Sequence, residues 1–214
     1  MADIFDEVDE DLKQDNAKKI WDRYGRYMVG VAALVILATA GHVGWREYVQ
    51  DRQEAYSARF MSALSLSNDA KHREAAAVLA DLSRDAGSGY GVLAQFREAV
   101  ERVAAGENAA AIDIYDAVAD DSGVDTLYRE LAVLNSVLLQ IDSGDVEKLK
   151  TRIAPLLATE NPWRHSATEI VAVLAMQTGQ LDEARKSYQQ LADDLDAPQG
   201  VRSRATEMLR TFGK

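Results

Sequence analysis

The sequence contains no cysteine, which excludes disulfide bonds, zinc-thiolate sites and catalysis by a thiol. Only three of the 214 residues are proline, and runs of β-branched residues are rare outside one apolar stretch. Acidic side chains outnumber basic ones, 35 to 24, and no basic cluster is present that could follow a phosphate backbone. The sequence therefore predicts an all-α chain whose partners do not include nucleic acid.

One long apolar run, residues 27–45, predicts a membrane-spanning helix. These nineteen residues carry no formal charge, and a helix of about 20 residues crosses a bilayer core of about 30 Å. The alternative is a cleaved export signal, because Ala38-Thr39-Ala40 is a small-x-small triplet that signal peptidase could accept. We interpret the run as an uncleaved signal anchor, because a long acid-rich segment precedes it and the apolar character continues past the triplet to Trp45.

The charges on either side of this run predict its orientation. Five basic residues precede it and three follow it closely, which favours a cytoplasmic N-terminus. The predicted organisation is a short acidic cytoplasmic segment (1–26), a transmembrane anchor (27–45) and a translocated domain (46–214). Within the span, Ala40 and Gly44 form a small-x-x-x-small pair, and Gly30 and Gly41 add smooth patches where another helix could pack. The packed helix would belong to a membrane partner or to a second copy, so a homodimer is possible.

The remaining sequence repeats with a period close to that of tetratricopeptide repeats. Aligned turns begin at Lys71, Gly106, Gly144 and Gly179, at intervals of 35, 38 and 35 residues. A small residue five positions later would let paired helices approach, and a large one nine positions later would pack on the neighbour. The small position holds Ala76, Ala111 and Ala184, with Leu149 as the exception, and the large position holds Ala80, Tyr115, Ile153 and Tyr188.

This pattern predicts a degenerate tetratricopeptide-like α-solenoid of about four helix pairs. The first helices of the later pairs are expected at 90–105, 125–141 and 163–178, and Pro162 and Pro198 are expected to end second helices. A C-terminal helix, with Val201, Ala205, Met208 and Phe212 on one stripe, is expected to cap the stack.

No pattern of catalytic or metal-binding residues is apparent. The three histidines have no second ligand at helical spacing, so we predict no metal, no cofactor and no enzymatic activity. A hydrolase with an unrecognised site is the alternative from another functional class. Three aromatic residues, Trp163, Tyr90 and Tyr128, are candidates for protein-binding anchors, because aromatic side chains dominate binding hot spots. For Trp163 the alternative is packing between repeats.

Several segments together resemble a bacterial family. These are IFDEVDEDL, KKIWDRYGRY, a glycine-containing span that ends GHVGWREY, and the degenerate helix-pair repeats. The chain resembles the membrane-anchored tetratricopeptide-like proteins of the YfgM type, an ancillary subunit of the SecYEG translocon. The resemblance implies a single-pass inner-membrane protein with a periplasmic repeat domain. It also implies association with the translocon and with periplasmic chaperones or exported clients. Leu149 and Ile153 depart from the usual repeat pattern, and related anchored proteins serve other envelope complexes in division, secretion or cytochrome assembly.

Overall fold

The computed structural model describes the backbone of residues 3–87 and 89–212, and the side chains at position 18 and within 21–31, 33–87 and 89–212. These residues form nine α-helices and one 3₁₀ turn, so the all-α prediction is confirmed. In chain order the elements are α1 Asp3–Asn68, α2 His72–Asp85, α3 Tyr90–Ala104, α4 Asn108–Asp120, α5 Thr126–Leu139, α6 Val146–Ile153, the 3₁₀ turn Ala154–Leu157, α7 Arg164–Gln177, α8 Leu181–Asp193 and α9 Gln199–Thr211.

The chain divides into two units, Met1–Ala55 and Tyr56–Lys214. The first unit is helical throughout its described part, and the apolar side chains of its span are exposed. Among the described residues, one helical stretch, Trp21–Asn68, is long and apolar enough to cross a membrane, as an anchor or a signal sequence would be. The Thr39 hydroxyl donates a hydrogen bond of 2.8 Å to the Val35 carbonyl oxygen. This polar group in the span is thus satisfied within its own helix.

The second unit, which we call the repeat unit, is a stack of helices that pack in chain order. Its buried residues form four clusters, and each cluster joins three successive helices. The end of α1, which begins the unit at Tyr56, serves as the first helix of the first pair, with α2 as its second helix. The pairs α3–α4, α5–α6 and α7–α8 follow, and α9 closes the stack. The prediction of four helix pairs and a capping helix is confirmed.

The capping helix buries the stripe that the sequence predicted. Val201 and Ala205 are buried in one cluster with Ala172 of α7 and Tyr188 of α8, and Met208 and Phe212 pack against the same cluster. Because α9 covers the last apolar face of the α7–α8 pair, the stack ends on a helix with a polar outer side.

The turns inside three of the pairs share one backbone geometry, which corrects the first repeat by one residue. Gly106 and Gly179 have positive φ angles of 78° and 75°, and the equivalent residue in the first turn is Ala70, with a φ of 59°, not Lys71. In each turn this residue donates to the carbonyl three positions back, and the next residue donates to the carbonyl five positions back. This pairing closes the end of the preceding helix.

The corrected frame moves the small and large positions of the first repeat to Ala75 and Leu79. Both are fully buried, as are Ala111 and Ala184, the small residues of the second and fourth pairs. Ala80, which the sequence frame assigned to the large position, is only half-buried. The first copy was misaligned because it lacks the turn glycine that anchors the other three.

The α5–α6 pair is built differently at both ends of α6. Gly144 lies in a turn without a positive φ angle, and a Cβ there would lie 2.9 Å from the Gln140 carbonyl oxygen, so close packing requires this glycine. At the other end, Pro155 has no N–H group for a further α-helical hydrogen bond, and the chain continues as the 3₁₀ turn. This explains why α6 has only eight residues.

Pro162 lies between the third and fourth pairs, and Pro198 lies between the last pair and the capping helix. The preceding helical segments end at Leu157 and Asp193, several residues before Pro162 and Pro198, so the prediction that these prolines end the second helices is wrong. Pro198 instead occupies the N-cap position of α9. The first-helix bounds agree with the structure to within one or two residues.

The turn geometry predicts opposite effects for exchanges of alanine and glycine. A non-glycine residue at positive φ costs about 1 kcal/mol, so Gly106→Ala and Gly179→Ala should each lower the thermal midpoint by roughly 2–4 °C in a chain of this size. Ala70→Gly should raise the midpoint, because that strain is removed. Circular dichroism of the full chain in detergent measures these shifts. Gly144→Ala serves as a contrast, because its loss of stability would come from a steric clash and not from backbone strain. A lower thermal midpoint for Ala70→Gly would contradict the assigned turn conformation of Ala70.

Candidate protein-binding face

Equivalent positions of the four first helices carry an apolar residue that is not buried in the core. Counting six residues back from Ala70, Gly106, Gly144 and Gly179 gives Leu64, Val100, Leu138 and Val173. Val100 and Leu138 are 46% and 49% exposed, and Leu64 and Val173 are half-buried. We call these four residues the apolar row. Leu138 and Val173, on α5 and α7, line one cavity.

The two sets of helices differ in what they present to solvent. Within the fully described α3 and α5, no exposed residue is charged, and the large exposed ones are Leu93, Val100, Leu127, Tyr128 and Leu138. The second helices expose charged residues, polar residues or alanine, with Leu181 as their single large exposed apolar residue within the described chain. A face of exposed apolar residues beside a charged face is typical of a surface that binds protein.

Two members of the apolar row, Leu138 and Val173, line a groove at the C-terminal half of the stack. Helices α5 and α7 contact each other, as do α7 and α9. Between them lies a cavity of about 370 Å³. Its apolar lining is Leu134, Leu138, Ile141, Ile170 and Val173, and its polar lining is Ser166, Glu169 and Arg204.

One ion pair closes the edge of this groove. The Arg204 guanidinium donates two hydrogen bonds of 2.7 Å to the Glu169 carboxylate, which joins α9 to α7. The hydrogen bonds with Glu169 raise the pKa of Arg204 above its ordinary value. Such two-pronged pairs fix geometry as well as charge, so Arg204 holds the capping helix against the groove wall.

The three aromatic candidates from the sequence each pack against different neighbours. The Tyr90 ring lies 6.3 Å from that of Tyr56, and the Tyr128 ring lies 6.4 Å from that of Phe96. Trp163 is half-buried, packs against the α5–α7 cluster, and donates its indole N–H to the Leu127 carbonyl oxygen at 3.2 Å. Tyr128 is the most exposed of the three and lies on α5, the helix that also contributes Leu138.

The small residues of the candidate span lie on the exposed surface of the helix. Apart from the neighbouring backbone of the same helix, a Cβ atom added at Gly30, Gly41 or Gly44 would meet no described atom within 4 Å, and Ala40 is exposed. Their role in helix packing remains a prediction.

A buried carboxylate that the sequence did not single out ties three helices together. Glu101 of α3 is 1% exposed, and its two oxygens lie 2.7 Å from Arg97 Nη2 and 2.8 Å from His72 Nδ1. Arg97 also donates to the Ser67 hydroxyl near the end of α1, at 2.9 Å. Burial raises the pKa of Glu101, but the hydrogen bonds and the Arg97 charge outweigh it, so the pKa lies below its ordinary value.

A second network lies on the neighbouring turn of α3. Burial raises the pKa of Glu98 despite its contact with Arg102. Arg102 lies 2.8 Å from Glu107, which also binds Arg73 of α2 at 2.7 Å. These charges link α2, α3 and the start of α4.

Two histidines that are isolated in the sequence pair with carboxylates in the structure. His72 meets Glu101, and His165 Nε2 lies 2.9 Å from Asp194. Each partner lies 29 residues later, because the start of one helix faces the end of its antiparallel neighbour. The antiparallel pairing of neighbouring helices, which the repeat pattern predicts, is the feature of the sequence from which these two contacts could have been predicted. No group of three or more metal-binding side chains occurs in the part of the chain that the structure describes.

The stacked helix pairs and their apolar row define a helical-repeat interaction protein. The chain matches the family model described as "Tetratricopeptide repeat-like domain" over residues 18–210, and it belongs to that family. Searches among curated proteins and among solved structures found no match. Domains of this family generally act as non-catalytic scaffolds for contacts between proteins.

The two buried glutamates predict opposite effects on acid stability. Glu101, with its lowered pKa, stabilises the fold above the unfolded-state pKa of about 4.3, and this contribution is lost as pH falls through the lower folded-state value. Glu101→Gln should therefore reduce the drop in unfolding free energy that occurs as pH falls below about 4.3. At neutral pH it should destabilise the fold by about 3 kcal/mol.

Glu98→Gln is the matched comparison. Its raised pKa means that its contribution is fully present below the unfolded-state pKa and decreases as pH rises through the folded-state value. Glu98→Gln should therefore leave the loss of stability at acid pH unchanged. It should make the fold more stable near pH 7, relative to its stability at acid pH, than the wild type is. Thermal midpoints of both variants between pH 3 and pH 7 decide the matter, and identical pH profiles for the two would contradict the assigned pKa directions.

Proposed function

We propose that this protein is a membrane-tethered interaction scaffold of the bacterial cell envelope and an ancillary subunit of the Sec translocon. Its short N-terminal segment lies in the cytoplasm, residues 27–45 span the inner membrane, and residues 46–214 form the periplasmic repeat domain. There it links protein export to periplasmic chaperones or newly exported clients. It performs this role without a catalytic step or a cofactor.

The apolar row is the observation that carries the proposal. A repeat domain that exposes Val100 and Leu138 at equivalent positions of successive helices presents an extended surface to a protein partner. The same chain contains a helix able to span a membrane. Tethering beside an export site converts a weak contact into an effectively intramolecular one, so a modest affinity suffices. The resemblance to YfgM-type proteins supports the choice of the translocon.

The proposed topology predicts a retained span and a periplasmic repeat domain. Because the chain has no cysteine, single cysteines can be placed at Gln14 and Ser143 without background labelling. In intact cells with a permeable outer membrane, an impermeant maleimide should label Ser143→Cys and leave Gln14→Cys unlabelled until the inner membrane is broken. Intact mass should include residues 1–40. Loss of those residues would show instead that Ala38-Thr39-Ala40 is cleaved, and inverted labelling would contradict the orientation.

The proposed partnership is tested by crosslinking the full-length protein in cells, followed by mild detergent extraction and identification of partners. Translocon subunits and periplasmic chaperones should be enriched. Substituting Ala40→Leu and Gly44→Leu together should reduce recovery of the translocon, because bulky side chains keep a second helix from close approach.

Val31→Leu with Val35→Leu, on the opposite side of the same helix, is the control and should leave recovery unchanged. Enrichment of a division, secretion or cytochrome-assembly complex, without the translocon, would overturn the proposed partner. Self-crosslinking abolished by the double substitution would assign the small residues to a homodimer.

A further inference from the structure

Near the groove between α5, α7 and α9, the described residues include acidic side chains without an ion-pair partner, whereas the basic side chain in its lining is paired. The only basic side chain that lines it, within the described residues, is Arg204, and the two-pronged contact with Glu169 neutralises that charge. Acidic residues near the groove have no such partner. A ligand with a net positive charge would therefore meet no repulsion from the groove and would find acceptors at its borders.

One stripe of α5 and the turn after it carry both the apolar surface and these acidic residues. Glu130, Leu134 and Leu138 follow at intervals of four, so they lie on one side of α5. Asp142 lies in the turn just after α5, next to Gln177 at the end of α7. Leu134 and Leu138 line the groove. Glu130 makes no ion pair among the described residues, and the exposed Asp142 accepts only a long hydrogen bond of 3.5 Å from Gln177. The groove thus has an apolar centre with an acidic residue on each side.

The repeat spacing favours a helical ligand. Neighbouring packed helices lie about 8–10 Å apart, close to the rise of seven residues in a helix, about 10.5 Å. A ligand helix that lies across α5 and α7 would place one apolar residue on Leu138. A second apolar residue, seven positions further along the ligand, would then meet Val173, the next member of the row. Its basic residues, on either border of that apolar stripe, would then face Glu130 and Asp142.

We propose that the groove between α5, α7 and α9 binds a cationic amphipathic helix of a partner protein, with its apolar face on Leu138 and Val173 and its basic residues beside Glu130 and Asp142. This rests on the proposed function and specifies its ligand class. Residues 46–214 hold 27 acidic and 19 basic side chains, so the surrounding field attracts the same ligand. The partner binds by its apolar area and is selected by its charge.

The test uses the full chain in nanodiscs of zwitterionic lipid, with empty discs as the blank. The probe is a labelled 14-residue peptide, LKKLLKKLLKKLLK. The comparison peptide has the same sequence with every lysine replaced by glutamate. Fluorescence anisotropy gives the affinity of each. The wild type should bind the lysine peptide at least about tenfold more tightly than the glutamate peptide, and the preference should shrink in high salt.

Charge reversal supplies the decisive comparison. The Glu130→Lys/Asp142→Lys variant should lose about tenfold in affinity for the lysine peptide and gain affinity for the glutamate peptide. The control Asp113→Lys/Asp182→Lys makes the same change in net charge at exposed positions of α4 and α8, and it should change both affinities by no more than about twofold. Equal effects of the two variants would overturn the assignment to the groove.

Apolar contact is tested separately. Leu138→Asn removes an exposed side chain, so the fold should remain intact, as the thermal midpoint will show, while affinity for either peptide falls about tenfold. Leu181→Asn on α8 is the matched control and should leave binding unchanged. Binding unaffected by Leu138→Asn would overturn the proposal. Recovery of the translocon in cells, together with no charge preference of the groove, would leave the proposed function standing and remove this inference alone.

Discussion

Close approach of helices at buried small residues is the constraint on which the repeat unit depends. Ala75, Ala111 and Ala184 are fully buried one turn after the start of their helices, where a larger side chain would hold the paired helices apart. Four residues later, Leu79, Tyr115 and Tyr188 occupy the space that the close approach defines. Where Leu149 replaces the alanine, the helix is short and ends in a 3₁₀ turn, so the third pair meets its neighbours through a different set of contacts.

The buried charges of α3 add a second constraint at the beginning of the stack. An ionised carboxylate at 1% exposure is tolerated only because Arg97 and His72 satisfy both its oxygens. This network also engages Ser67, so the last turn of α1 is fixed to α2 and α3 by polar contacts as well as by the cluster around Ala63. The part of α1 from Tyr56 onward is therefore an integral part of the repeat core.

These two constraints leave one side of the first helices outside the core. Their buried sides are fully used by the core and the ion pairs, and the remaining stripe on α3 and α5 is apolar. The second helices carry the charges that keep the domain soluble. Repeat domains of this kind generally act as scaffolds, whose binding surface comes from the shape of the stack.

The sequence by itself determined the helical class, the apolar span, the pairing of helices and their bounds, because those depend on local periodicity and on breakers such as Gly106 and Gly179. It misaligned the first repeat, since Ala70 adopts the turn conformation without a glycine. Only the tertiary structure brought His72 to Glu101, joined Arg204 to Glu169 and assembled Leu138 and Val173 into one groove. Each of these contacts joins residues about 29 to 35 positions apart on different helices. Such a contact depends on which faces of neighbouring helices meet, whereas local periodicity shows only which face of each helix is apolar.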